Sequence, residues 1–333
     1  MNESLPPMRR LILIAVIMPA VIVAANMMLL KFGRADWVRT AFYPFLAANV
    51  AALSFFSGTF LRKTWLSWVV FAWSLILLDL LTYVSCLDGT IPAQFGYILV
   101  SSQISLLVLW AILGPGHWQW RLPGVAAVSP FVAMFTGSFA KVWNSQYWDL
   151  MMLLTTAVVA ILCGGLRFLG FVLQNQERAV QLADGEKRRT IQFGMKHMLI
   201  WLTVTGPLVL MARGIDFTGQ TFFPQLLLAL SVATVNLIAI WAVLGGGFWM
   251  IRIVALCLVP YLIGSGLAAF SGYMKSFTGR GQSLSIAHAL VDMQDLWIGW
   301  MWLDAALLGA LLLFLRASDY RLARAANRKE TRK

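Results

Sequence analysis

The sequence predicts an all-α fold: a polytopic transmembrane helical bundle of about ten spans, carrying an internal parallel duplication. Three observations predict it. The first is composition. Of 333 residues, 60% are hydrophobic and 12% are charged, where an average soluble domain carries roughly 25% charged residues. The second is length. Apolar runs of about 20 residues recur along the whole chain, each enough to cross roughly 30 Å of hydrocarbon as a helix. Backbone groups in lipid must be satisfied within the segment, and the period-two alternation of a membrane barrel is absent from these runs.

The third observation is a repeat. Trp110-Ala-Ile-Leu-Gly-Pro-Gly-His-Trp-Gln-Trp-Arg121 and Trp241-Ala-Val-Leu-Gly-Gly-Gly-Phe-Trp-Met-Ile-Arg252 match at seven of twelve positions, 131 residues apart. Two random windows of this composition share roughly one. The match extends upstream through Gln94/Gln225, Leu99/Leu230 and Leu106/Leu237. A second block matches at an offset of 149, through Trp148/Trp297, Met152/Met301, Leu162/Leu311, Arg167/Arg316 and Leu173/Leu322. The change of offset is an 18-residue insertion before the last span.

In chain order, residues 1–62 form an N-terminal transmembrane hairpin with spans at 10–31 and 40–60. Residues 63–173 form the first four-helix repeat, spans 3–6, at 65–87, 94–113, 122–140 and 148–170. A cytoplasmic linker follows at 174–193, with a basic cluster at Lys187, Arg188 and Arg189. Residues 194–316 form the second repeat, spans 7–10, at 194–212, 222–244, 248–272 and 296–316. Its outer-loop insertion covers 273–295, where Gly279, Gly281, Ser283 and Ser285 break the apolar run and Ile286–Met293 reads as a short separate helix. A basic cytoplasmic tail, 317–333, ends the chain. An even number of helices per unit makes the copies parallel, related by an axis along the membrane normal.

Charge sets the orientation. With the N-terminus inside, the inner segments carry 19 Lys and Arg residues and the outer segments 7. The positive-inside bias then places both termini in the cytoplasm. The net charge of +12 is absorbed by this bias, since the basic residues lie between apolar runs and not along a soluble face. Membrane lipids are therefore the expected partner, and nucleic acid is not. Arg9-Arg10 with the apolar stretch to Ala25 also fits a cleaved signal peptide, but the run continues to Leu30, longer than a signal core.

The repeated Gly-x-Gly-x-Trp-x-x-Arg loop joins spans 4–5 and 8–9. Trp118 and Trp249 suit headgroup depth, and Arg121 and Arg252 can snorkel to lipid phosphates. Arg167 and Arg316 end spans 6 and 10, where a helix C-terminus favours a cation. These six residues are candidate lipid-headgroup contacts. A sharper alternative is an anion site at the glycine loop, though its spacing matches no nucleotide fingerprint.

Arg167-Phe-Leu-Gly-Phe171, followed by a charged linker and Gln192-Phe-Gly-Met-Lys-His-Met-Leu-Ile-Trp-Leu-Thr203, resembles a group of uncharacterised multi-pass membrane proteins of planctomycete bacteria. Those tend to begin a central span with a Gln-Phe-Ser-Leu-Arg pattern and to follow later spans with Arg-x-x-Gly-Tyr. Here Gly194 and Lys196 stand where Ser and Arg are usual, and Arg316-Ala-Ser-Asp-Tyr320 lacks the Gly. The likeness covers roughly residues 110–322. It implies a bacterial inner membrane and brings no activity and no functional residue.

Two carboxylates, Asp79 in span 3 and Asp304 in span 10, lie within apolar runs. An intramembrane carboxylate costs several kcal/mol, so each is a candidate transport residue; the alternative is a buried group bonded to a neighbouring polar side chain. With this orientation both fall in the outer half of the membrane, which leaves a shared layer open to them. Pro130, Pro207 and Pro260 interrupt spans as kinks. Cys86, Cys163 and Cys257 lie in apolar runs without metal-ligand spacing, and His288, Asp292 and Asp295 lack further ligands. No metal, cofactor or catalytic residue is expected. The sequence thus favours a non-enzymatic inner-membrane protein, a structural or interaction component, with a small-solute or ion transporter as the alternative.

Overall fold

The computed structural model describes residues 8–32, 36–60, 65–87, 93–115, 121, 124–125, 145–175, 219–277 and 286–324. Predicted spans 122–140 (but for helical 124–125) and 194–212 lie outside them, as do Trp118, most of the linker and the tail beyond Arg324.

Helix α1 runs unbroken as Met8–Ile12, a π-helical stretch Leu13–Ile17, and Met18–Phe32. The wider π turn comes just before Pro19, where a proline has no N–H to give and its ring crowds the preceding turn. Then follow α2 (Asp36–Phe60), α3 (Leu66–Leu87), α4 (Ala93–Leu113) and α5 (Ser145–Phe168). Strand β1 (Phe171–Asn175) comes next, then α6 (Gly219–Leu244), α7 (Trp249–Phe277), α8 (Ile286–Ala317) and strand β2 (Tyr320–Arg324). Six of these helices, α3 to α8, are long and apolar enough to cross a membrane. Satisfying every backbone group internally in such a stretch is what a lipid-embedded chain requires.

Helix α4 is the central post. It packs on α3, α5 and α8, and Leu99, Leu109 and Leu113 along it are fully buried. Helix α6 packs on α5 and α8, α7 lies against α8 and α6, and α2 lies along the other side of α8. Helix pairings recur along the chain. Helix α4 packs on α5 as α6 packs on α8, and α5 meets α6 as α8 meets α4. Two close crossings need glycine. A Cβ on Gly58 would stand 2.6 Å from the Phe314 carbonyl oxygen, and one on Gly264 would stand 2.6 Å from the Ile298 Cα. At the end of the bundle where α4 and α8 finish, aromatic rings interlock. Trp68 lies 4.6 Å from Trp110, Phe71 stacks on Phe314 at 4.2 Å, and Trp110 meets Tyr320 edge-on at 5.2 Å.

The structure departs from the sequence expectations at two places. First, residues just past α5 and α8 form a two-stranded antiparallel sheet, with Leu173 opposite Leu322 and Val172 opposite Ala323. Residues 171–173 were assigned to the repeat unit and 317–333 to a solvated tail; pairing with each other satisfies both segments' backbone groups where the helices stop. Both strands are reached through the same reversal, with left-handed backbone at Gly170 (φ 90°) and at Asp319 (φ 62°). Second, Ile286–Met293 is not a separate short helix in the outer loop. It forms the first turns of α8, which runs continuously to Ala317. No proline occurs between 286 and 317, so Asp292 and Asp295 end the apolar character without ending the helix. Helix α7 likewise extends to Phe277, and residues 278–285 lie outside the described residues.

Candidate functional site

Two constellations gather the residues singled out by the sequence. The first is a polar layer inside the bundle. Gln103 Nε2 of α4 donates to Asp79 Oδ1 at 2.7 Å. The next residue back, Ser102, is fully buried, and its hydroxyl lies 2.9 Å from both Asp304 Oδ1 and the Ile98 carbonyl. One hydroxyl hydrogen serves one of these acceptors at a time. Asp304 Oδ2 is buried with no partner among the described residues. Three residues on, Ser105 accepts a 2.8 Å hydrogen bond from Asn236 Nδ2 of α6.

The two aspartates therefore do share a layer, through neighbouring residues of one helix. Consecutive residues point about 100° apart on a helix, so the two carboxylates meet α4 from different directions, Asp79 from α3 and Asp304 from α8. Asp304 is 2% exposed, wedged where α8 packs on α4. Asp79 is half-buried on the α3 side. A small cavity lies elsewhere, between α1, α2 and α3; it is lined by Pro19, Asn49, Leu53, Ser74 and Leu78, and neither aspartate lines it. The serines of α4 were the missed signal: Ser101, Ser102 and Ser105 beside Gln103 are a dense polar group within an apolar run.

The second constellation lies where α4, α5, α6 and α8 end. A helix leaves its last carbonyls without intrahelical partners, and here arginines take them, joining the Gly114 N–H on the Trp110 carbonyl. Arg121 donates through Nη1 to the Trp110 carbonyl and through Nη2 to that of Gly114, both at 2.9 Å, and lies 5.7 Å from the Trp110 ring centre. Arg252 donates through Nη1 to the carbonyls of Ala242 (3.2 Å) and Gly245 (2.6 Å). Arg167 donates to the Ile112 carbonyl, and Arg316 to the Val243 carbonyl at 3.2 Å. Burial pushes the Arg121 pKa below its ordinary value, and the charge of Arg167 adds to the push. The four arginines were expected at headgroup depth. What the structure gives each of them is a backbone carbonyl to cap, which sequence spacing does not reveal. Trp249, at the first turn of α7, is 55% exposed. Among the described residues no cluster of three or more His, Cys, Asp or Glu gathers as metal ligands, and Cys163 is buried while Cys257 is exposed.

No protein-family model, curated protein or solved structure matches this chain. The functional reading rests on the geometry above.

Proposed function

We propose that this chain is a multi-pass inner-membrane protein of ten spans, a non-enzymatic structural or interaction component built from two parallel copies of a four-helix unit. The observation that carries the reading against a solute pathway is the placement of the intramembrane carboxylates. Each is bonded to a side chain of α4, and Asp304 is enclosed in a helix–helix contact. A transport route needs such groups on a common water-accessible surface.

The duplication is supported by contacts between equivalent positions. Under a two-fold axis, a residue lying on the axis meets its own counterpart. Ser105 and Asn236 are counterparts 131 residues apart, and they are hydrogen-bonded to each other. Leu173 and Leu322 are counterparts 149 apart, and they face each other at the centre of the strand pair. The acceptors of Arg167 and Arg316, Ile112 and Val243, are again counterparts. Ser105 lies mid-helix and Leu173 beyond the helix ends, so a line through both meeting points follows the helices. That is the direction of the membrane normal, as parallel copies require. The strands and arginine caps then lie on the cytoplasmic side.

In a background with Cys86, Cys163 and Cys257 replaced by Ala, the pair Ser105→Cys and Asn236→Cys is expected to cross-link under mild oxidation, and Ser105→Cys with Thr234→Cys is not. Equal cross-linking of both pairs would remove the axis. Reporter fusions should place residues 174–193 and the C-terminus in the cytoplasm; a periplasmic linker would reverse the orientation.

Proteoliposomes holding the full chain are expected to take up sodium, potassium, protons or amino acids no faster than empty vesicles, with or without Asp79→Asn and Asp304→Asn. Uptake by the unaltered chain that either substitution abolishes would replace this reading with a transporter.

A further inference from the structure

The two arginine-capped ends correspond in sequence, but they differ in charge and in unused donors. At the α6/α8 end, Arg252 and Arg316 hold carbonyls of residues 242, 243 and 245, all within one helical turn. A third cation joins them: Arg321 donates through Nη1 to the carbonyls of Arg316 and Tyr320, at 2.8 and 2.9 Å. Burial, then Arg316 and Arg252, depress the Arg321 pKa, and Asp319 alone among its neighbours acts to raise it. Three guanidiniums against one carboxylate leave a net positive charge of about two.

Donors remain open as well. Arg252 serves both of its carbonyls from one nitrogen, and its Nε is buried with no acceptor among the described residues. The first end is more nearly closed. Arg121 engages two nitrogens and lies against Trp110. The position matching Arg321 there is Val172, so among the described residues that end has no counterpart of the third cation.

Space and apolar surface complete the second end. A Cβ on Gly246 or Gly247 would meet nothing within 4 Å, and Gly247 takes φ 99° in an open turn. Phe248, Trp249, Met250 and Ile251 beside it are all exposed. From there an exposed stripe, Ile251, Val254, Leu258 and Leu262, runs down α7. From Ile251 to Leu262 is 11 helical steps, about 16 Å at 1.5 Å each, close to one leaflet of a bilayer about 30 Å thick.

We propose that Arg252, Arg316 and Arg321, with the open Gly245–Trp249 turn, bind the phosphodiester headgroup of an anionic phospholipid whose acyl chains lie along the exposed stripe of α7. Arginine matches phosphate by its forked, charged donors. The apolar stripe selects a lipid over a free phosphate, which has no use for it. Arg321 supplies the selectivity that the first end lacks. The site rests on the membrane placement proposed above.

The test is native mass spectrometry of the full chain in detergent, titrated with phosphatidylglycerol or with phosphatidylcholine of the same chain length. Phosphatidylglycerol is expected to bind more tightly. One cation near an anionic surface is worth about 1 kcal/mol, so Arg321→Ala should weaken phosphatidylglycerol about fivefold and leave phosphatidylcholine unchanged. Arg321→Lys keeps the charge and most of the binding, and Arg121→Ala leaves it intact. Equal losses from Arg121→Ala and Arg321→Ala would overturn the assignment to this end. Displacement of the lipid by an equal concentration of inorganic phosphate would mark a free-anion site and overturn the lipid. Alkaline extraction of the membranes separates the two readings. A chain that resists extraction yet shows no preference for phosphatidylglycerol refutes the site alone, and a chain that is extracted refutes the membrane placement together with the site.

Discussion

Alanine at Gly58 or at Gly264 is expected to destabilise the bundle by about 1–3 kcal/mol each, the usual cost of overpacking. The neighbours that would have to move are backbone: the Phe314 carbonyl oxygen at 2.6 Å for Gly58, and the Ile298 Cα at 2.6 Å and N at 2.8 Å for Gly264. A flexible side chain could rotate away, whereas a helix backbone must shift as a rod. Both clashes fall on α8, but Ile298 and Phe314 are 16 residues apart, about 24 Å along the helix. The two losses should therefore add in the double variant. Gly165 is the control. It lies in α5 with nothing within 4 Å of its would-be Cβ, so Gly165→Ala should be neutral or raise stability by up to about 1 kcal/mol through helix propensity. Thermal unfolding of the four variants in one detergent measures all of this. Loss at Gly165 equal to that at Gly58 would show that the α2–α8 crossing is looser than its geometry implies.

The helices were legible because a bilayer imposes a length and an apolarity that a one-dimensional scan detects. The 65–87 and 94–113 spans differ from α3 and α4 by one residue at one end. The start of α8 was not legible for the same reason. Hydropathy marks where the apolar stretch begins, at Trp297, while the helix itself begins at Ile286. The strands escaped because each is only five residues and gains its partner 149 positions away. The match of Leu173 to Leu322 was visible, but likeness between two segments does not say that they touch. The arginine caps were hidden differently. Arg167 and Arg316 could be placed at helix ends by position, yet their acceptors are backbone carbonyls of Ile112 and Val243, which any residue would offer. Asp79 and Asp304 were legible as outliers. Their partners, Gln103 and Ser102, became evident only with the register of α4 against α3 and α8.

Ser102→Ala is expected to cost about 1–3 kcal/mol, because it takes away the one partner that the buried Asp304 carboxyl has among the described residues. Asp304 is 2% exposed, and its second oxygen already lacks a partner among the described residues. The reverse substitution, Asp304→Ala, should cost less. Ser102 keeps the Ile98 carbonyl at 2.9 Å as an acceptor, and what is lost is a short polar side chain and not a large apolar one. Removing both partners leaves no orphan. The double variant should therefore be more stable than Ser102→Ala alone, a coupling of opposite sign to simple addition. Gln103→Ala supplies the comparison, with a smaller loss expected because Asp79 is only half-buried. Chemical or thermal unfolding of the four variants in detergent reads the cycle. If Ser102→Ala is silent while Asp304→Ala unfolds the chain, the carboxyl holds the bundle through contacts other than this bond. If the double variant folds well, the pair is dispensable to the bundle's packing, and the uptake assay on that same variant then separates a buried structural carboxyl from one that has been kept for passing an ion.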